Sequence, residues 1–337
     1  MSDGVVAAQV VPVIPPVVYR NEMPLFAAVP AQLRQSDLAM IGNLHRRVGD
    51  QAVPGTAPEG AGGALQAWAR AVYNDLDIRQ GGPLDAHSRG HVNGLQAGSD
   101  LLASGNWRAG LYVGGLDGNA DVNANAPGVI GPVGRTDLQS RYVGGYATWM
   151  DTSGIYADAV LQWGNHRYTV RPDGSFGVLG KSTSTTASLE AGKAFVVADG
   201  WSIEPQAQIV YQRGQFDDVL MISQVVRQHA AAGWIGRLGL RLKGDVATAA
   251  GRLQPYGRVN VYRATSGTDV STFLATTGLT QIGSAAGYTS TEVAAGMTLA
   301  LSPTTSLYGE VGQLFNSGGD ARVKSSVQGS IGLRISW

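Results

Sequence analysis

The chain has 337 residues, enough for one large or two ordinary domains, and its 25 Lys+Arg balance 25 Asp+Glu. Only 15% of residues are charged, so no field favours nucleic acid as a partner. Cysteine is absent, which removes disulfides, thiolate catalysis and thiolate-bound metals.

In chain order, the first stretch is MSDGVVAAQVVPVIPPVVYR. It lacks a basic n-region and is interrupted by Pro12, Pro15 and Pro16, so it does not read as a signal peptide. An exported form would then be a piece of a longer precursor. No run of about 18 apolar residues follows, so no transmembrane helix is expected. Residues 1–29 read as an extended linker. Residues 30–49 read as a helix that opens on Pro30, which suits a first turn, and stops at Gly49. Leu33, Met40, Leu44 and Val48 gather towards one side, while Arg34, Asp37, Arg46 and Arg47 point elsewhere. DQAVPGTAPEGAGG (50–63) reads as a flexible connector.

From residue 64 to 337 the pattern changes to alternation with period two. In LQAWARAVY, Leu65, Ala67, Ala69, Ala71 and Tyr73 oppose Gln66, Trp68, Arg70 and Val72. In IYADAVLQW, Ile155, Ala157, Ala159, Leu161 and Trp163 oppose Tyr156, Asp158, Val160 and Gln162. WSIEPQAQIVYQ and WIGRLGLRLK repeat the scheme, as does the terminal GSIGLRISW, where Ile331, Leu333, Ile335 and Trp337 share one face. Roughly twelve such segments can be counted, several longer than ordinary globular strands. Tight connectors at 104–106, 151–154, 198–200 and 302–305 alternate with longer ones near 79–89, 117–138, 169–181, 214–229, 265–286 and 316–322.

A soluble sandwich would place charge on the solvent face and bulky residues in a core. Here the apolar face ends in aromatics (Tyr73, Trp163, Trp201, Tyr211, Trp234, Trp337), as a membrane interface requires, and the other face is Gln, Ser, Thr, Arg and Glu, suiting a wet lumen. The expected fold is an all-β transmembrane protein, a 12-stranded antiparallel outer-membrane β-barrel with its long loops extracellular and an N-terminal α-helix in the lumen. The lipid contact of such a wall is set by the apolar face. Arg34, Arg46 and Arg47 of the helix are expected to pair with inward carboxylates, Asp158, Glu190, Glu204 and Glu310.

The helix end NLHRRVGD (43–50), the WAR at 68–70 and a last strand ending in an aromatic together resemble the autotransporter translocator family (type V secretion β-domains), with helix wording similar to its pertactin and serum-resistance subgroup. The resemblance covers roughly residues 22–337. It implies a monomeric, surface-anchoring virulence factor whose barrel exports an N-terminal passenger, its own passenger domain, and is then plugged by the helix. It also implies delivery by periplasmic chaperones and recognition of the strand with Ile331, Leu333, Ile335 and Trp337 by the outer-membrane assembly machinery. In a self-cleaving subgroup a reactive asparagine precedes this motif; here Gly42 occupies that position, followed by Asn43, so cleavage by asparagine cyclisation is not expected.

Other chemistry is weakly indicated. His87 and His91 have an i,i+4 spacing but no third ligand, and DVNANAPG (121–128) begins like a calcium loop but lacks its sixth-position glycine and has Pro132 in place of the bidentate Glu. No metal or cofactor is expected, and no catalytic site stands out among His45, His87, His91, His166 and His229. The alternative function is an outer-membrane diffusion pore gated by the N-terminal helix; an outer-membrane hydrolase is a third reading.

Overall fold

The computed structural model describes residues 18–42, 64–249, 251–276 and 278–337. Twelve strands form the wall: β1 (Gln66–Gln80), β2 (His87–Ser104), β3 (Trp107–Ala126), β4 (Val129–Met150), β5 (Ile155–Pro172), β6 (Val178–Lys193), β7 (Trp201–Phe216), β8 (Gly233–Gly244), β9 (Gly251–Ala264), β10 (Thr289–Ala300), β11 (Thr305–Gly318) and β12 (Ala321–Ser336). Each pairs antiparallel with its chain neighbours. The ring closes where β1 meets β12, with Gln66 opposite Ser336, Ala69 opposite Leu333 and Gln80 opposite Ala321. Closure leaves no row of unpaired backbone groups in hydrocarbon, the condition for a sheet to cross a bilayer.

Burial is inverted relative to a soluble protein. Leu111, Val143, Leu161, Leu189, Leu238, Val259 and Ile331 are exposed, whereas Gln96, Gln162, Glu204, Arg237, Arg258 and Glu292 are buried. Such a surface is stable only against lipid. On β5 the outward apolar run is Ile155 to Trp163; a strand needs about 9–11 residues to cross, so the remaining extracellular half stands clear of the hydrocarbon.

Inside, six tyrosines lie across directly opposed glycines: Tyr112 on Gly144, Tyr146 on Gly110, Tyr156 on Gly192, Tyr168 on Gly180, Tyr256 on Gly296 and Tyr308 on Gly332. A Cβ at Gly180 would meet the Tyr168 ring at 2.2 Å. The rings need a neighbour without a side chain, and they shield the glycine backbone in return.

The helix α1 spans Glu22–Ile41, beginning before the expected Pro30, so residues 22–29 are helix rather than linker. The helical periodicity was hidden because Met23–Val29 is apolar on every side, as full burial demands. Pro30 lies inside the helix and cannot donate to the Phe26 carbonyl; Gln228 Nε2 does so instead, at 2.6 Å. Residues 43–50, including Arg46 and Arg47, and the connector 50–63 lie outside the described residues.

Two expected loops differ. Residues 117–138 are mostly the paired ends of β3 and β4, joined at Pro127–Gly128, and 316–322 holds a tight turn around Gly319. The β3–β4 ends look loop-like because beyond the membrane their outward face is polar, with Asp117, Asn119, Asp121, Arg135 and Asp137. The spans 214–229 and 265–286 contribute a separate four-stranded sheet, Val219–Leu220, Gln224–His229, Thr268–Ala275 and Gly278–Ala285, a lid that packs along the helix between Glu22 and Arg34 at the extracellular end.

Candidate functional site: a helix-plugged lumen

The helix runs from the extracellular mouth inward. At its outer end Tyr19 N–H binds Pro127 O at 3.0 Å, on the β3–β4 turn, Arg20 pairs with Glu22 at 2.9 Å, and Gln224 donates to Glu22 at 3.0 Å. The first half, Leu25 to Val29, is buried in an apolar collar that includes Val122, Val133 and Val170 of the wall and Phe273 and Ile282 of the lid. Phe26 meets Phe273 edge to face, with ring centroids 6.1 Å apart.

The second half carries polar side chains that reach the wall and the lid. Gln32 donates to Ser88 at 2.9 Å and accepts from Thr136 at 2.8 Å. Arg34 forms a two-pronged pair with Asp269 of the lid, one prong at 2.8 Å, and Gln35 donates to Tyr288. Asp37 lies 3.5 Å from His166 Nε2.

The inner end is held by Arg70 of β1. Its guanidinium donates to Met40 O at 2.7 Å, Gly42 O at 2.9 Å and Gln96 Oε1 at 2.6 Å. A cation on the last carbonyls of a helix meets both orphan acceptors and the negative end of the dipole. Arg70 sits in the WAR motif, but nothing local to that motif says which carbonyls it reaches, so it is absent from the expected helix–lumen contacts.

Arg34 was expected to meet Asp158, Glu190, Glu204 or Glu310, and meets Asp269. The early helix start places Arg34 in the extracellular half of the lumen, under the lid. Asp158, Glu190, Glu204 and Glu310 lie towards the periplasmic ends of their strands. There Thr148 donates to Asp158; Tyr156 and Arg237 hold Glu190, at 2.8 and 2.9 Å. Arg241 takes Glu204 at 2.8 Å, and Arg258 bridges Glu310 and Glu292 at 2.9 and 2.6 Å. Arg258 is thereby fixed between two carboxylates, with Tyr262 and Gln328 also donating to Glu292.

Among the described residues, His87, His91 and His166 sit in separate surroundings. His87 hydrogen-bonds Asp77 at 2.7 Å and His91 stacks on Tyr73. His166 has Ser140 at 2.8 Å on Nδ1 and Ser184 at 2.8 Å on Nε2, with Asp37 also on the Nε2 side. His166, Ser140 and Asp37 are all buried, at 1%, 1% and 2% exposure. This group is a buried lock between helix and wall. Among the described residues no cluster of three or more His, Asp or Glu could hold a metal.

A closed twelve-stranded barrel with a lipid-compatible outside and its own N-terminal helix in the lumen defines an outer-membrane translocator. The family model described as Autotransporter beta-domain matches residues 67–312, and the chain belongs to that family. It is 35% identical over 259 residues to the pertactin autotransporter of Bordetella bronchiseptica, covering 74% of this chain and 26% of that protein. It is 31% identical over 204 residues to the BrkA autotransporter of Bordetella pertussis, covering 57% and 19%. The chain thus spans about a quarter or less of the length of these relatives. The β domain of Bordetella BrkA has a similar fold (23% identity, TM-score 0.57, 81% of this chain and 100% of that one), as does the transport unit of AIDA-I from Escherichia coli (15%, TM-score 0.68, 95% and 100%). Barrels of this family reside in the outer membrane and export passenger domains; they are transport devices and not enzymes.

Proposed function

We propose that this barrel exports an N-terminal passenger of its own precursor and then retains the passenger's tail, the residues before Glu22, with the helix as plug. The observation that carries the reading is the path of the chain. It passes Tyr19 at the extracellular mouth, descends through α1 and rejoins the wall at Gln66, at the opposite end of the barrel. On this reading, whatever precedes residue 18 is delivered outside. A reporter fused at residue 1 is expected to be cut by protease added to intact cells; a reporter protected in the periplasm overturns the proposal.

Arg46 and Arg47, just past Gly42, would continue towards Asp158, Glu190, Glu204 and Glu310 and anchor the inner end of the plug. Residues 50–63 would serve as the connector to the barrel of residues 64–337. Gly42 leaves the helix with φ −52° and ψ 126° and has no side-chain amide, so the chain would not cut itself there by cyclisation. Refolded protein that released a segment with a new end at Asn43 would refute this. Outer-membrane assembly machinery and periplasmic chaperones would be its partners before insertion, reading the strand with Ile331, Leu333, Ile335 and Trp337.

The alternative of a diffusion pore gated by the N-terminal helix fits less well, because opening it would expose Leu25, Phe26, Ala28 and Val29, which are fully buried among apolar residues of the wall and the lid.

A further inference from the structure

The outward face of β5, β6 and β7 changes character at one level. On β5 the apolar run ends at Trp163 and is followed by Asn165 and Arg167; on β7 it ends at Tyr211 and is followed by Arg213. On β6 the polar part above Leu189 and Ala187 runs Thr185, Thr183, Lys181. Arg167 stands directly opposite Lys181 in the ladder, Asn165 opposite Thr183, and Thr185 opposite Arg213. All three cations are exposed.

Like charges directly opposed in a sheet repel and cost stability. Elsewhere on the extracellular half several outward cations have a carboxylate partner: Arg79 with Asp85, Arg135 with Asp121, Arg141 with Asp117 and Arg171 with Asp137. Among the described residues, Arg167, Lys181 and Arg213 have no ion pair. Asp217, whose N–H binds Lys181 O at 3.1 Å, makes none with the Lys181 side chain. The three cations therefore stand just above an aromatic edge at headgroup height, on the side of the membrane whose outer leaflet is built of phosphorylated glycolipid.

We propose that Arg167, Lys181 and Arg213 form a binding site for the phosphate groups of an outer-leaflet glycolipid, with Trp163 and Tyr211 flanking its sugar–acyl boundary. A phosphate between Arg167 and Lys181 converts a repulsive rung into two charge-assisted contacts. Its acyl chains continue down the apolar face of Leu161, Leu189 and Ile209, all exposed. The site fixes the rotation of the barrel relative to its annular lipid. It lies on the wall away from the β1–β12 closure.

The test uses the refolded full chain in detergent, with lipid retention read by native mass spectrometry. The probes are a bis-phosphorylated, hexa-acylated diglucosamine lipid, the same lipid with its phosphates removed, and inorganic phosphate. Wild type is expected to retain the phosphorylated lipid about tenfold more tightly than its dephosphorylated form. R167Q/K181Q is expected to lose that factor, R167K to keep most of it, and the double variant to be at least as heat-stable as wild type without lipid. Equal retention of both lipids, or unchanged retention by the double variant, overturns the proposal. Inorganic phosphate competing at the lipid's own concentration would reduce the site to a free-anion site and also overturn it. Folding is judged by migration of unheated samples on a denaturing gel. If the double variant does not fold, K181Q and R213Q singly are expected to lose about threefold each, and no loss in either overturns it.

Discussion

Pro30 removes one donor from the middle of α1, and Gln228, on the lid, supplies the replacement to the Phe26 carbonyl. The two residues are chemically coupled although they do not exchange a bond. Gln228→Leu leaves that buried carbonyl without a donor and is expected to cost about 1–3 kcal/mol. In a Pro30→Ala background the helix regains its own N–H, so the same substitution should cost about 1 kcal/mol less, the remainder coming from the Tyr168 hydroxyl, which loses its acceptor at 2.6 Å in both backgrounds. Denaturant unfolding of the four proteins in the cycle checks this; equal costs in both backgrounds would remove the coupling. At the opposite end of the barrel, Asp151 accepts hydrogen bonds from Ser153 Oγ at 2.8 Å, Ser153 N at 2.9 Å and Ile155 N at 3.0 Å. The Ser153 hydroxyl, more than the two backbone donors, stabilises the ionised form and holds the carboxyl below the usual carboxylate range. A depressed pKa means that the turn's stabilisation is present at neutral pH and is lost as pH falls through the folded value. Amide exchange at Ile155, corrected for intrinsic rate, should rise in acid in wild type and be pH-independent in Asp151→Ala.

At the level of elements, α1 is held at two points by different means: an ion pair with the lid at Arg34, past its middle, and a carbonyl clamp at Arg70 on its inner end. Arg70→Gln keeps a donor but loses the charge and the fork, and is expected to weaken the inner anchor by about 1.5–3 kcal/mol. In planar bilayers that should appear as brief, large-conductance openings that are rare in wild type; a variant as quiet as wild type would mean that Arg70 does not retain the plug. The wall strands were legible because lipid on one side and water on the other impose period two on every crossing, as in Ile155–Trp163. The inner clamp was not legible: Arg70 falls on the lumen face of its strand, but its meeting with the helix end depends on barrel closure. Three things were hidden for physical reasons. Met23–Val29 shows no amphipathic stripe because it is buried all round. Beyond the membrane, β3 and β4 carry no apolar face. The lid pairs Gln224–His229 with Thr268–Ala275 across some forty intervening residues, and only tertiary packing specifies that register. Asp269, the true partner of Arg34, lies on that lid, so the missed register carried the missed ion pair with it.

For the whole molecule, closure is a single event that completes every other contact, since a barrel one strand short has two open edges in hydrocarbon. β12 supplies both closing ladders. Ile335 lies opposite Ala67 of β1 and Thr305 of β11, Leu333 opposite Ala69 and Leu307, and Trp337 N–H reaches Leu65 O at 3.0 Å. The outward side chains Ile331, Leu333, Ile335 and Trp337 are all exposed to lipid, so the same residues that complete the ladder also present an apolar stripe while the strand is still free. Deleting Ile335–Trp337 removes the periplasmic end of both ladders but leaves the lumen contacts of Arg258 and Glu292 untouched. If the stripe is only a strip of wall, the truncated chain should still insert in cells, with a frayed periplasmic end and a modestly lower melting point. If it is also the address read during assembly, insertion in cells should fall at least tenfold, while the purified truncated chain still refolds into detergent. The second outcome is expected, because an exposed apolar strand end is what an assembly receptor could pair with before the barrel closes. Heat-modifiable migration of the chain from isolated outer membranes, set beside refolding in vitro, separates the two. Loss in both settings would assign the terminal residues to closure alone.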